Sequence, residues 1–452
     1  VALTPKLDRS EGDINISSLR ADWQKRNLST IAQNILQQDA DSFLHQTLST
    51  PCINVLSNAE GIYLTTVDGK KLMDFHGNNV HQVGFGNPYV VNAIKQQLEE
   101  LPFCSRRYTN QVAIELAQKL TALAPGDLNK VLFMPAASLA MGAALKLARK
   151  ATGRFKTISM WDSFHGATLD TISIGGEYAF KKDMGPMLTG AEHVMGVNTY
   201  RCIFGQCANC QMNCLKYLEF VLEKQGDVGA VIIETVRNTD VQIPDIRYMQ
   251  GVREACNRHG ALLILDETAT AFGRTGKMFA FEHYDIVPDM VVVGKGLGDG
   301  IVPMAALIVR EGLEVSNDIA LGHYTHEKSP LGSAAALAML KYLEDYDLLA
   351  QAQKLGAYFG TKLIELKEKY PLIGDVRQIG LLFAIELVTD RATKEKAIEQ
   401  AEAIMYDCME NGLSFKVSQG NVITLSPPLI IDQVQLDAAY DILDQALQKV
   451  SI

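Results

Sequence analysis

Residues 261–310 read ALLILDETATAFGRTGKMFAFEHYDIVPDMVVVGKGLGDGIVPMAALIVR. Two short apolar runs stand out in them, Leu262–Leu265 and Met290–Val293, each bounded by turn-forming residues. Their length, and the β-branched content of the second, fit strands buried on both faces of a parallel sheet. Each run ends on chemically capable residues: Asp266-Glu267 after the first, Gly294-Lys295-Gly296 after the second. In an open α/β sheet, ligands sit beyond the carboxyl ends of the strands. A carboxylate and an amine brought to that edge point to one cofactor held from two sides.

The cofactor that needs such a pair is pyridoxal phosphate. Its aldehyde takes a lysine as a Schiff base, and its ring nitrogen takes a carboxylate that keeps it protonated. The protonated ring then draws electrons from a substrate carbanion. DETATAFGRTG followed by GKGLGDG resembles the class III (ω-amino) aminotransferases of fold type I. Their pattern runs Asp-Glu-x-x-x-Gly-x-Gly-Arg-Thr-Gly before a Lys-Gly strand end. The resemblance makes Lys295 the catalytic Schiff-base lysine and Asp266 the ring-nitrogen partner, and it adds Thr268 to the cofactor-binding set. It implies an α/β fold with a mostly parallel seven-stranded sheet. The large cofactor domain is expected over residues 76–335. A small α+β domain is expected from an N-terminal segment, 1–75, and the C-terminal residues 336–452.

Composition agrees with a large globular enzyme. The chain has 452 residues, 47% hydrophobic and 21% charged, enough to bury a sizeable core. A net charge of −10 offers no general footprint for nucleic acid or an anionic membrane. No apolar run approaches the length of a membrane span, and VALTPKLDRSEGD has no signal-peptide core, so a cytoplasmic location is expected. Four of the eight cysteines, Cys202, Cys207, Cys210 and Cys214, crowd into RCIFGQCANCQMNC. Their spacing is not the paired spacing of a zinc ribbon. A surface excursion with reduced thiols and no metal is the expectation.

Working outward, GIYLTTVDGKKLMDF reads as a hairpin turning at Asp68-Gly69. The loop FHGNNVHQVGFGNP follows, and by resemblance it reaches the active site, making Asn78, Asn79 and His81 substrate contacts. Arg106 and Arg107 precede the helix QVAIELAQKLTAL, and Arg107 is carried as an anion contact. KVLFMPAASLAMGAALKLARKATG reads as strand, turn and helix. Aligned on the family's Lys-Leu-Ala-Arg ending, Ala137 and Ser138 fall where the cofactor phosphate is cradled by backbone N–H groups. In MWDSFHGATLD, Phe164 is expected to stack on the cofactor ring and His165 to orient it. The buried strand of AVIIETVRNTD ends in Glu234, also assigned to the cofactor. Thr325, in LGHYTHEKSPLGSAAALAML, matches the threonine that reaches the neighbouring subunit's phosphate. The resemblance therefore implies a homodimer with shared active sites.

Two departures bear on the reaction. The family carries an arginine three residues before Pro427-Pro428 that holds a substrate carboxylate, and this chain has Thr424. The glutamate that gates that arginine is replaced by Thr239, while Arg237 is new at the same strand end. A site without both is poorly equipped to alternate between an amine and a keto acid. Arg237 suits an anion placed elsewhere, such as a phosphonate. FHGNNVHQVGFGNP, ETVRNTDVQIP and THEKSP together resemble the pyridoxal-phosphate-dependent ammonia-lyases of 1-hydroxy-2-aminoethylphosphonate. That resemblance implies ammonia release from a small anionic β-hydroxyamine, giving phosphonoacetaldehyde in a phosphonate-breakdown route. An ω-transaminase using a keto acid, or an amino-acid racemase or epimerase, stays open as an alternative.

Overall fold

The computed structural model describes residues 17–46, 49, 52–205 and 212–450. Near the N-terminus, helices Ser18–Asn27 and Thr30–Ser42 lead into β1 (Leu56–Glu60), β2 (Tyr63–Thr66) and β3 (Lys71–Asp74). The β2–β3 pair is the hairpin read at Asp68-Gly69. Trp23, nearly fully buried, stacks on Tyr406 of the helix Ile398–Glu410, 5.7 Å between ring centroids. The N-terminal helices are thus tied to the C-terminal part of the chain by aromatic burial.

The central sheet is built from β4 (Leu128–Met134), β5 (Lys156–Met160), β6 (Ala191–Val194), β7 (Val228–Glu234), β8 (Leu262–Asp266), β9 (Met290–Val293) and β10 (Ala305–Arg310). Its order is β4-β10-β9-β8-β7-β5-β6. β10 runs antiparallel to both its neighbours, and the pairs among β5 to β9 are parallel. The two apolar runs are the central strands β8 and β9, buried along nearly their whole length between layers of helices. Continuous apolar strands of this kind need cover on both faces, which explains their lack of alternation. Register does the rest. Glu234 pairs with Asp266 and Asp266 with Val292, so three adjacent strand ends deliver their polar residues to one edge.

Beyond β10 come the helices Pro330–Asp345 and Leu348–Lys369. They are followed by β11 (Ile373–Ile379), β12 (Leu382–Asp390), β13 (Glu395–Lys396), β14 (Leu413–Ser414), β15 (Lys416–Ser418) and β16 (Val422–Leu425). These form a sheet of order β11-β12-β16-β15, with β13 alongside β12. β14 leaves it to pair in parallel with β3, welding the N-terminal hairpin to the C-terminal residues. Among the described residues, no helix is long and apolar enough to cross a membrane. Cys207 and Cys210 lie outside the described residues, so the cysteine cluster is not described as a unit.

Candidate active site

Beyond the carboxyl ends of β7, β8 and β9 lies a cavity of about 550 Å³. Its wall includes Asn78, Ala137, Ser138, Phe164, His165, Glu234, Asn238, Thr239, Asp266, Thr268 and Lys295. Residues from separate parts of the sequence therefore meet where the strand ends converge, as the sheet's geometry requires.

Asp266 is the best-anchored member. Its Oδ2 lies 2.9 Å from His165 Nδ1, and its Oδ1 accepts from the Thr268 backbone N–H at 3.0 Å and the Thr268 hydroxyl at 2.6 Å. Burial works to raise its carboxyl, but the bonds from His165 and Thr268 outweigh burial and hold it below the usual carboxylate value. It stays ionised at the bottom of the cavity. Thr268 thus acts by fixing the carboxylate, and His165 by bracing it from the other side. Glu234 has a different task. Burial raises its carboxyl, while its oxygens accept from Phe164 N at 3.1 Å and Asn238 N at 3.3 Å. It ties together two loops of the cavity wall.

At the opposite end, the helix Ala137–Thr152 starts without a side-chain cap: its N-cap is Ala136. The backbone N–H groups of its first turn have no intrahelical acceptor and face an anion site by construction. Gly166 lets the backbone approach closely here, at φ +124°, and a Cβ on it would run into the Ser138 hydroxyl. Lys295, just beyond β9, takes φ +42° and lines the cavity between these ends.

These features fit pyridoxal phosphate. An ionised carboxylate stands ready for a ring nitrogen, an uncapped helix start with Ser138 for a phosphate, and a lysine lies between. His165 Nε2 is buried in the cavity wall without a hydrogen-bond partner in the chain, the kind of polar atom that a bound group satisfies.

The substrate contacts expected from sequence are divided by the structure. Asn78 lines the cavity. Asn79 is buried behind it, donating to Asn238 Oδ1 at 3.1 Å. His81 is fully buried, packed on Phe85 and 3.7 Å from Asp74, so it supports the loop without reaching the cavity. Arg107 is exposed on the loop before the helix Gln111–Leu123. Arg237 does not meet the expectation of an anion contact. Its guanidinium lies 2.7 Å from Asp240 and 3.7 Å from Asp162, facing adjoining cavities outside this one. Burial opposes its charge, but those two carboxylates sustain it and neutralise it. Thr325 is exposed on the loop ahead of the helix Pro330–Asp345.

The two substituted positions prove to be neighbours. Thr424 is buried on β16, and its hydroxyl donates to the Thr239 carbonyl at 3.0 Å. An uncharged contact occupies the place where an arginine and its gate would meet. Three further residues bear on the site and carried little signal in the sequence. Asn238 lines the cavity from the same segment as Thr239. Burial, then the positive charges of Lys416 and Lys295, push the His76 imidazole down to about 3. His76 therefore sits within electrostatic reach of both lysines, and Lys416 of β15 belongs to the same neighbourhood.

Comparison with known proteins agrees with this geometry. The sequence pattern described as aminotransferase class-III matches residues 45–447. A (R)-1-hydroxy-2-aminoethylphosphonate ammonia-lyase of Vibrio splendidus (strain 12B01) is 48% identical, over 98% of this chain and 95% of its own. A leucine/methionine racemase of Thermococcus litoralis is 35% identical, over 88% of this chain and 91% of its own. Among solved structures, a taurine:2-oxoglutarate aminotransferase from Bifidobacterium kashiwanohense, in complex with PLP and glutamate, superposes with a TM-score of 0.86. It is 29% identical, with 93% of this chain and 98% of that chain covered.

Proposed function

The chain belongs to the class III aminotransferase family, and from that membership we propose that it is a pyridoxal-phosphate-dependent ammonia-lyase. Its proposed substrate is a small anionic β-hydroxyamine, best matched by (R)-1-hydroxy-2-aminoethylphosphonate. The observation that carries this reading is the Thr424–Thr239 contact. It leaves no arginine and no gate at the place that would serve a dicarboxylate partner. The likeness to the Vibrio splendidus lyase over nearly the full length of both chains supports it.

The bound cofactor supplies an electron sink for the charge left when a proton leaves the carbon beside the substrate nitrogen. Lys295, released from holding the cofactor aldehyde, takes that proton on Nζ. Asp266 keeps a proton on the ring nitrogen, and His165 and Thr268 keep Asp266 in place. The hydroxyl then leaves the adjacent carbon as water, and hydrolysis of the released enamine restores a water. The balance is one substrate to one ammonia and one phosphonoacetaldehyde, with no keto acid consumed. In this reading residues 76–335 carry the cofactor, while 1–75 and 336–452 close over the substrate. Two chains pair so that Thr325 serves the neighbour's phosphate.

The test is ammonia release from 1-hydroxy-2-aminoethylphosphonate by the purified holoenzyme with no keto acid added. Ammonia and phosphonoacetaldehyde in equal amounts are the expected result. Turnover that requires pyruvate or 2-oxoglutarate, with alanine or glutamate accumulating, overturns the lyase reading in favour of transamination.

A further inference from the structure

Among the described residues lining the main cavity, Lys295 is the only lysine or arginine. It is committed to the cofactor, so an anionic substrate group needs a cation from the next layer. Arg237 is ruled out by its two carboxylates. Arg274 is ruled out by burial and by its bonds to the Leu381 and Pro427 carbonyls.

The β15–β16 hairpin offers another. In its register Lys416 stands directly opposite Thr424, and Ser418 opposite Val422. Residues directly opposite in an antiparallel pair share a face, and so do residues two apart on one strand. The Thr424 hydroxyl lies 3.4 Å from Ser418 Oγ, which identifies the face on which Thr424, Ser418 and Lys416 all stand. That face meets the cavity wall, because the same hydroxyl donates to Thr239 and Thr239 lines the cavity. Ala384, opposite Thr424 on the other flank, adds almost no bulk there. The Lys416 side chain, a four-carbon stem ending in a compact charge, therefore starts one strand spacing from Thr424 and only half-exposed. His76 lies within electrostatic reach of both Lys416 and Lys295. The two amines thus flank one imidazole. In the proposed substrate, likewise, the amine and the phosphonate are separated by two carbons.

We propose that Lys416 holds the substrate's phosphonate, supplying from the neighbouring strand the cation that Thr424 does not. This inference rests on the proposal that the substrate is an anionic amine. His76 stands between the two lysines as a neutral donor or acceptor, so the charge at the anion end comes from Lys416. A cation shifted by one strand would also explain how the site accepts a short phosphonate while lacking the contact for a longer dicarboxylate.

The experiment measures binding apart from turnover. Ethylphosphonate, which has neither the amine nor the hydroxyl, is titrated calorimetrically into holoenzyme of the wild type, Lys416→Met, Lys416→Gln and Lys416→Arg. Removing a charged hydrogen bond should weaken binding by about 10- to 160-fold in the Met and Gln variants. The Arg variant should retain most of the affinity, and all four should keep the cofactor absorbance. The same loss should appear in kcat/KM for 1-hydroxy-2-aminoethylphosphonate, mainly through KM. Unchanged affinity in Lys416→Met and Lys416→Gln, or no binding by the wild type, overturns the assignment. If wild-type enzyme releases no ammonia from the phosphonate but ethylphosphonate binding still depends on Lys416, the lyase reading fails and this inference stands.

Discussion

Asp266→Asn is the substitution whose outcome follows most directly from the geometry. Asparagine is nearly isosteric. Its Oδ1 can go on accepting both Thr268 donors, at the places now 3.0 and 2.6 Å away. Its Nδ2 then faces His165 Nδ1, now 2.9 Å from the carboxylate, and donates to it. His165 must in turn carry its proton on Nε2, the nitrogen without a partner in the chain. Every local bond survives in some form, so the fold should too. The charge does not survive. An opposite charge in contact favours the protonated ring nitrogen by about 1–3 pKa units, or roughly 1.4–4 kcal/mol. If the reaction draws fully on that protonation, kcat falls by about 10- to 1000-fold. The assay is steady-state ammonia release, with thermal unfolding and cofactor absorbance as controls for folding and loading. A well-folded, fully loaded Asp266→Asn enzyme with wild-type kcat would falsify the reasoning, and Asp266 would then be a structural carboxylate.

Other outcomes follow from the same coordinates. Borohydride reduction of holoenzyme should tag Lys295, read by peptide mass spectrometry; a tag on any other lysine removes it from its role. Arg237→Ala should act on stability more than on KM, because it leaves the 4%-exposed Asp240 without its partner. The cost expected for breaking such a buried pair is about 3 kcal/mol by denaturant unfolding; a raised KM at unchanged stability would return Arg237 to the substrate. His76 has a folded pKa of about 3 against an ordinary 6.5, so the unfolded chain takes up a proton first as pH falls. Stability present at pH 7 is therefore lost below pH 6.5, by about 2 kcal/mol at pH 5. His76→Gln should flatten that slope, and an unchanged slope counts against a neutral, buried imidazole. Sedimentation should show a dimer in the concentration range of the assay; a fully active monomer excludes the shared site proposed through Thr325.

The sequence made the centre of the site readable and its margin unreadable, for physical reasons. Lys295 and Asp266 sit at the ends of central strands, where burial on both faces writes an unbroken apolar run and the next residue must face the ligand edge. Ala137 and Ser138 were legible because a helix start binds phosphate through its backbone, so the replaced side chains cost little information. Arg237 misled because a strand-end arginine reads alike whether it meets a ligand or a carboxylate. Its neutralising partners, Asp240 and Asp162, belong to a fold-back and a separate loop. His81 misled similarly, since a polar loop residue that turns inward cannot be told by letter from one that turns outward. Lys416 was invisible for another reason. Its meaning depends on being opposite Thr424, a fact of register set by a turn at Gln419-Gly420 with positive φ at both positions. Short strands such as Lys416–Ser418 carry too few residues for any periodicity to declare that register.

Lys295 itself stands in the left-handed region at φ +42°. For a residue with a long side chain this conformation costs roughly 1–2 kcal/mol, which asparagine or glycine would largely escape. Selection therefore pulls two ways at one codon. A lineage or a mutant library screened only for heat resistance, expression or solubility will be rewarded for discarding this lysine. Only a screen that demands turnover will keep it. Inactive, unusually robust descendants of such enzymes should accordingly be found with Asn or Gly at this place more often than with other replacements. A collection of such descendants without that bias would show that the strain is relieved elsewhere.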